Sequence, residues 1–383
     1  MTEHDDPGNP PQARPESPPA KPGAIEWFER RLQLSELFSF LSHFGFVYTP
    51  LDTRLPFREM LRQVASRPVS SYLRWPRVLG LVTTVLFGVM AVTGVLLACY
   101  YQPTPEAAYA STRTIARDVT LGWWVRQVHA WGAWLLLAAV VARLARFFLE
   151  GLYRAPREIL WWSMVAMAWV VVQLDFTGRL LPWTQSGYWS VTRGLDAIAG
   201  LPLVGPVLTF IGGGAAVNDV VLLRFSVLHT MVLPVLFMAL FFLTFASLRR
   251  VGLTTVSHSG GVTTSRDHFF SVVLLFVVVI GVLTTLAVAV PLPFLRAADP
   301  VATPSGVTAP WYLIVPALVR DRLPFLWWPM AALFVFSTLV VFFLPFLVRG
   351  DDRRDALARP VGLGFGALWI LLTLAGLYLE RGR

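Results

Sequence analysis

Long apolar runs alternate with short breaks marked by proline, glycine or arginine along most of this chain. Seven runs reach the roughly 20 residues that a helix needs to cross a bilayer: 78–101, 122–148, 159–181, 220–247, 269–294, 325–348 and 361–379. A soluble helix carries one apolar stripe and one polar face; these runs are apolar on all sides. The pattern predicts an all-α polytopic membrane protein. Four spans form a first block, the polar stretch "VGLTTVSHSGGVTTSRD" follows, and three further spans form a second block. Upstream, residues 1–23 are rich in Pro, Glu and Gly without an apolar core segment, so a disordered tail is expected and not a signal peptide. Residues 24–77 interleave aromatics with Arg and Glu ("IEWFERRLQLSELFSFLSHFGF"). That mixture predicts an amphipathic helix lying on the membrane surface. The expected divisions are therefore 1–23, 24–77, 78–250 and 251–383.

Composition supports the membrane assignment. The chain is 55% hydrophobic and 14% charged, where soluble domains carry about 25% charge. Its excess of +9 is almost all arginine, with Lys21 the sole lysine. On a membrane protein such charge reports orientation rather than nucleic-acid binding. Arg143, Arg146, Arg154 and Arg157 lie at and beyond the end of the second span, Arg249, Arg250 and Arg266 follow the fourth, and Arg349, Arg353, Arg354 and Arg359 follow the sixth. The positive-inside rule places these loops and the N-terminus in the cytoplasm. Cys99 is the one cysteine, which excludes an internal disulfide or a cysteine-ligated cluster built by this chain alone. There is no nucleotide-binding glycine loop, zinc pattern or soluble catalytic domain.

Of six histidines, only His129 and His229 lie inside spans. Ligating or ionisable residues there are costly and mark function; the plainer reading is a hydrogen-bonded core pair. Each sits near the outer end of its helix. Arg126 precedes His129 by three residues and Arg224 precedes His229 by five. Two imidazoles from facing helices, with guanidiniums at the rim, suit a haem: axial nitrogens for iron and cations for the propionates.

Several segments carry a resemblance. "GWWVRQVHAWGAW" resembles the second helix of cytochrome b from the quinol–cytochrome c oxidoreductases, and "LLRFSVLHTMVLP" its fourth. "LLPWTQSGYWS" resembles the PWGQ-type turn after the third helix. "YYQPTPEAAYAS" is similar to the loop after the first helix in the chloroplast and cyanobacterial branch. "ADPVATPSGVTAPWYL" resembles the segment that ends in the family's PEWY motif. Together they cover roughly residues 75 to 350 in family order. The resemblance implies a four-helix haem-binding bundle followed by three more transmembrane helices.

In that family each histidine helix carries two ligands 14 residues apart, or 15 on the fourth helix of the chloroplast branch, so that two haems stack across the membrane. Here the position 14 after His129 is Arg143, and positions 14 and 15 after His229 are Leu243 and Thr244. A guanidinium offers iron no lone pair. Family helices one and three each hold two glycines 14 apart. Helix one keeps Gly80 and Gly94; helix three keeps Gly178 but has Met164 at the other position. The expectation is one haem b on the outer side, held by His129 and His229 with Gly94, Gly132, Gly178, Arg126 and Arg224 around it. The inner site is expected to be repacked, with Phe241, Phe242 and Leu243 as filling and Arg143 snorkelling to the cytoplasmic surface.

The resemblance places an outer quinol site between the PWGQ-like turn and Ala309-Pro310-Trp311-Tyr312, where Pro310 stands in place of the family's glutamate. Asp175 is the compensating oddity: it lies three residues before Gly178, on nearly the same helix face. Either it pairs with an arginine such as Arg179 or Arg126, or it takes the quinol proton beside Trp311 and Tyr312. Arg266 and Asp267, with His268, occupy the position of the family's inner quinone site, and serve equally well as interfacial anchors.

The functional expectation is a b-type cytochrome subunit of a quinol-oxidising complex. It would be multi-pass in a bacterial cytoplasmic membrane and partnered by a Rieske iron–sulfur protein and/or a c-type cytochrome. It would lie among lipids, in a dimer within a larger complex, without nucleic acid. The alternatives are a structural paralogue partnering a four-histidine copy, and a second haem held by ligands from a partner or by unusual ligands, for which His43 and His268 are the spares.

Overall fold

The computed structural model describes residues 68–70, 78–251, 262–304, 307–349 and 352–381. The expected tail at 1–23 and most of the expected surface helix at 24–77 lie outside the described residues. Among the described residues, seven helices are long and apolar enough to span a membrane, as the apolar runs predict. They are α1 (Val78–Ala98), α3 (Gly122–Leu149), α4 (Glu158–Leu180), α8 (Leu233–Val251) with the α7 (Asp219–Val227) that leads into it, α9 (Ser265–Ala289), α11 (Trp327–Leu347) and α12 (Asp352–Arg381). Shorter helices α2 (Ala108–Arg117), α5 (Gln185–Ala199), α6 (Val204–Gly212) and α10 (Ile314–Arg322) fill the connections between spans one and two, three and four, and five and six. All three of those connections lie at one end of the spans, here the loop-rich end. The opposite end holds the arginine-marked connections and a short antiparallel pair, β1 (Pro68–Ser70) with β2 (Val262–Thr264).

Local sequence explains the element boundaries. Asn218 begins α7 by accepting the Val221 N–H at 2.9 Å, and Thr184 begins α5 by accepting the Gly187 N–H at 3.3 Å. Both are the short polar side chains that satisfy the free amides of a first turn. Helix α9 stops at Ala289 and not at 294, because Pro291 and Pro293 cannot donate the backbone bonds a helix requires. Helix α12 starts at Asp352, nine residues before the predicted 361. Its first turns, Asp352–Arg359, are charged, and a charged helix outside lipid leaves no apolar run in the sequence.

Between α7 and α8 the helix makes a single π-turn, Leu228–Val232, which contains His229. A π-turn takes one more residue than an α-turn, and such turns recur at functional sites.

Helices α1, α3, α4 and α7–α8 surround one apolar core. Val128, Leu136 and Val140 of α3, Leu160, Trp161 and Met167 of α4, Phe87 of α1 and Phe237 of α8 are buried together there. Phe87 and Phe237 stack with ring centres 4.2 Å apart. A second cluster at the loop-rich end joins Phe176, Trp183, Tyr188, Leu195 and Phe225 to Ala309 and Leu313. Polar groups stitch the later helices to the bundle. The Trp161 and Trp162 indoles donate to the carbonyls of Val341 and Phe342 in α11 at 2.8 and 2.9 Å. Gln127 of α3 both donates to and accepts from the Leu292 backbone at 2.8 and 2.9 Å. In lipid a polar group without a partner costs several kcal/mol, so such pairs also fix the docking register.

Candidate haem and quinol site

The two intramembrane histidines face one another. Their ring centres are 6.2 Å apart, with the planes inclined at 67°. The Nδ1 of His229 lies 3.0 Å from the Leu174 carbonyl and 3.2 Å from Thr177 Oγ1. A carbonyl only accepts, so Nδ1 carries the proton. Thr177 gives its own proton to the Gln173 carbonyl at 2.7 Å and is an acceptor as well. His129 repeats the arrangement: its Nδ1 is 2.9 Å from Thr93 Oγ1, and Thr93 donates to the Val89 carbonyl at 2.7 Å. Both rings therefore hold their proton on Nδ1 and keep the Nε2 lone pair for a ligand, the tautomer fixed from behind as metal-bound histidines usually are.

Glycines let the rings lie this close to neighbouring helices. A Cβ on Gly94 would sit 3.3 Å from His129 Cε1, and one on Gly178 would sit 2.7 Å from His229 Cε1. Thr93-Gly94 and Thr177-Gly178 are the same dipeptide on two helices. The glycines are visible in the sequence pattern, while the threonines, Leu174 and their roles are not singled out by it. Gly132 lies elsewhere, against Met90 and Leu283. The two guanidiniums expected at the rim are turned to other partners: Arg126 stacks over Phe294 at 4.8 Å, and Arg224 donates to the Phe210 carbonyl at 2.6 Å.

The frame repeats one level down, toward the arginine-rich end. On α1, Gly94 touches His129, and Gly80, 14 residues earlier, touches the Arg143 guanidinium, with its Cβ position 3.8 Å from Cζ. On α4, Thr177 touches His229, and Ser163, also 14 residues earlier, touches Thr244 at 2.9 Å. On α8 the matching separation is 15, His229 to Thr244, because the π-turn absorbs one residue. Thr244 and not Leu243 is thus the lower counterpart of His229; it is 1% exposed and also bonded to the Leu240 carbonyl at 2.8 Å. Met164, next in sequence to Ser163, is fully buried in the apolar core.

Arg143 does not snorkel as the sequence suggests. It is 5% exposed, its guanidinium lies 5.5 Å from the Phe147 ring centre, and its Nη1 has no hydrogen-bond partner. Arg146, one turn on, reaches Glu150 at 2.8 Å. Phe241 packs against the core, but the lower level is built chiefly from Arg143, Met164 and Thr244.

At the loop-rich end, Gln185 of the PWTQ turn donates to the Ala302 carbonyl at 2.6 Å, and Trp189 donates to the Asp299 carbonyl at 3.1 Å. Arg193 binds the Val307 carbonyl at 2.6 Å and Asp321 at 2.8 Å. These residues fasten the segment that carries Trp311 and Tyr312; Gln185 and Trp189 belong to the PWGQ-like turn, and Arg193 carries no signal in the sequence pattern. Asp175 meets Arg179 at 2.7 Å and the Tyr312 hydroxyl at 2.9 Å, so the structure brings Asp175 and Tyr312 together. Arg266 lies far along the chain at the start of α9, exposed, 5.7 Å from the Phe270 ring. The neighbouring Asp267 carbonyl accepts from Ser271 at 2.7 Å.

A sequence model of the family "Cytochrome b/b6/petB" matches residues 64–252. Cytochrome b6 of Tupiella akineta is 33% identical over 209 residues, which are 54% of this chain and 97% of that protein. The chain belongs to the cytochrome b/b6 family. Cytochrome b6 of Synechococcus sp. (strain WH7803) is likewise 33% identical, over 54% of this chain and 96% of its own. A solved structure titled "Hyperthermophilic respiratory Complex III" shares the fold, with a TM-score of 0.66 over 86% of this chain and 95% of that one at 23% identity. The group that a b-type cytochrome holds between imidazoles is haem b, and the upper level suits it. Two metal–imidazole bonds of about 2 Å, with about 1 Å from each nitrogen to its ring centre, span roughly 6 Å. Among the described residues no cluster of three His, Cys, Asp or Glu is placed to hold a metal. Two imidazoles alone do not complete a metal's coordination, and a macrocycle would supply the rest.

Proposed function

We propose that this cytochrome b is the membrane subunit of a quinol-oxidising electron-transfer complex and holds a single haem b, between His129 and His229. The observation that carries this reading is the opposed imidazole pair, 6.2 Å apart, with both Nδ1 atoms committed to acceptors and both Nε2 atoms free. A bis-histidine haem supplies one-electron transfer and has no open position for oxygen. Gly94 and Gly178 keep side chains out of its way, while Arg126 and Arg224, engaged with Phe294 and the Phe210 carbonyl, would have to turn from those partners to meet the propionates. Gly132 supports it indirectly, through the packing of α3 on α1.

The lower level argues against a second haem. Arg143 offers donors only, Thr244 has its hydroxyl engaged, and Met164 fills the wall where the family pattern has glycine. Quinol is read as binding at the loop-rich end beside Trp311 and Tyr312, with Asp175 behind them. Arg266 and Asp267 remain candidates for a quinone at the other end. Resemblance to cytochrome b6 and to a complex III structure supports a Rieske iron–sulfur protein and/or a c-type cytochrome as electron acceptor. It also supports assembly as a dimer in a larger complex, surrounded by lipid. The arginine bias supports a bacterial cytoplasmic membrane with the N-terminus inside.

The test is reduction of the b-type haem by quinol in isolated membranes, followed optically without oxygen. The wild-type band should appear on addition of quinol, and His229→Leu should abolish both the band and the reaction. A quinol-reducible b-type haem that persists in His229→Leu would refute the assignment.

A further inference from the structure

Two neighbouring side chains of α4 and one from a distant part of the sequence meet at the loop-rich end of α4. The Asp175 carboxylate, 7% exposed, accepts from Arg179 Nε at 2.7 Å and from Arg179 Nη2 at 3.2 Å. The oxygen that takes Nε also accepts the Tyr312 hydroxyl at 2.9 Å. Arg179 is held in place by the Trp134 ring, 5.2 Å from its centre. Pro310 brings no carboxylate to the Trp311–Tyr312 segment; the one that touches it comes from α4.

The direction of every hydrogen bond in this unit is fixed. A guanidinium has donors only, and the carboxylate it pairs with has acceptors only. Tyr312 must therefore donate its one proton to Asp175. Burial, and after it the Asp175 charge, push the phenol well above its usual range, so that proton is kept. Arg179 also donates to the phenol oxygen, so what Tyr312 presents to anything else is its remaining lone pair.

We propose that Asp175 and Arg179 are positioning residues that set the polarity of Tyr312, so that the site selects the reduced quinol over the oxidised quinone. This rests on the reading that quinol binds beside Trp311 and Tyr312. A quinol offers hydroxyl donors, which a lone pair can accept. A quinone offers carbonyl oxygens, and two acceptors facing each other without a proton leave both unpaired. Sites built around such pairing discriminate by about tenfold or more. In Asp175→Asn the amide can donate to the phenol oxygen, which frees the Tyr312 proton to point outward and reverses the preference.

The experiment uses the purified complex and a short-chain benzoquinol with its matching benzoquinone. It compares the KM for quinol in haem reduction with the inhibition constant for quinone. The expected outcome is that Asp175→Asn shifts the ratio of the two constants toward quinone by about tenfold or more at unchanged haem content, and that Asp175→Glu restores most of the wild-type ratio. Tyr312→Phe, which leaves the α4 ion pair in place, should abolish the preference, and it carries the test if Asp175→Asn does not fold. A wild-type ratio in both Asp175→Asn and Tyr312→Phe would overturn the inference. Wild-type protein that is neither reduced by the quinol nor inhibited by the quinone would instead overturn the quinol-site reading beneath it.

Discussion

His129 and His229 differ in how firmly each is tied from behind. Thr93 is the acceptor for His129, whereas His229 shares its proton between the Leu174 carbonyl and Thr177. A bond to Nδ1 makes the imidazole a more electron-rich ligand and favours ferric iron. Thr93→Val should therefore raise the haem midpoint potential by about 20–60 mV, equivalent to the roughly 0.5–1.5 kcal/mol of one hydrogen bond. Thr177→Val should move it less, because the Leu174 carbonyl remains. Redox titration of the two variants checks the order, and equal shifts would contradict it. The histidines were legible in the sequence because an apolar span makes them conspicuous. Thr93 and Thr177 were not, since a threonine that bonds its own helix looks like ordinary filling; only the repeated Thr-Gly dipeptide marks them. Asp175 with Arg179 could be foreseen from four-residue spacing. The resemblance puts Tyr312 in the same candidate site but does not show its direct bond to Asp175, which spans 137 positions along the chain.

Among the elements, the two-level frame is what the helices preserve. Spacings of 14 on α1, α3 and α4 equal almost four turns, and the π-turn makes 15 the matching spacing on α8. That turn is invisible in a hydropathy pattern, so the sequence left Leu243 and Thr244 as equal candidates; burial and the Ser163 contact decide for Thr244. The helices themselves were legible because lipid demands long apolar runs. Their ends were not where prolines or charges intervene, at Pro291 and at Asp352–Arg359. If the lower level differs from the upper only in its side chains, Arg143→His with Met164→Gly and Thr244→His should raise haem per chain from one to two. The same combination with Leu243→His in place of Thr244→His should leave it at one. A second haem in the Leu243 variant would show that the register assigned here is wrong.

At the scale of the molecule, one end gathers the imidazole pair, the Asp175–Tyr312 contact and the long connections fastened by Gln185 and Arg193. The other end gathers arginines and a buried guanidinium beneath the imidazole pair. If haem sits at one level only, as proposed above, no second haem within the chain would relay an electron across the membrane, and electrons taken from quinol would leave on the side where they arrive. The direct test is the haem content of the purified, full-length chain, measured as pyridine haemochrome per polypeptide. One haem b is the expected result, falling to none in His129→Leu; two haems in the wild type, or none, would contradict it.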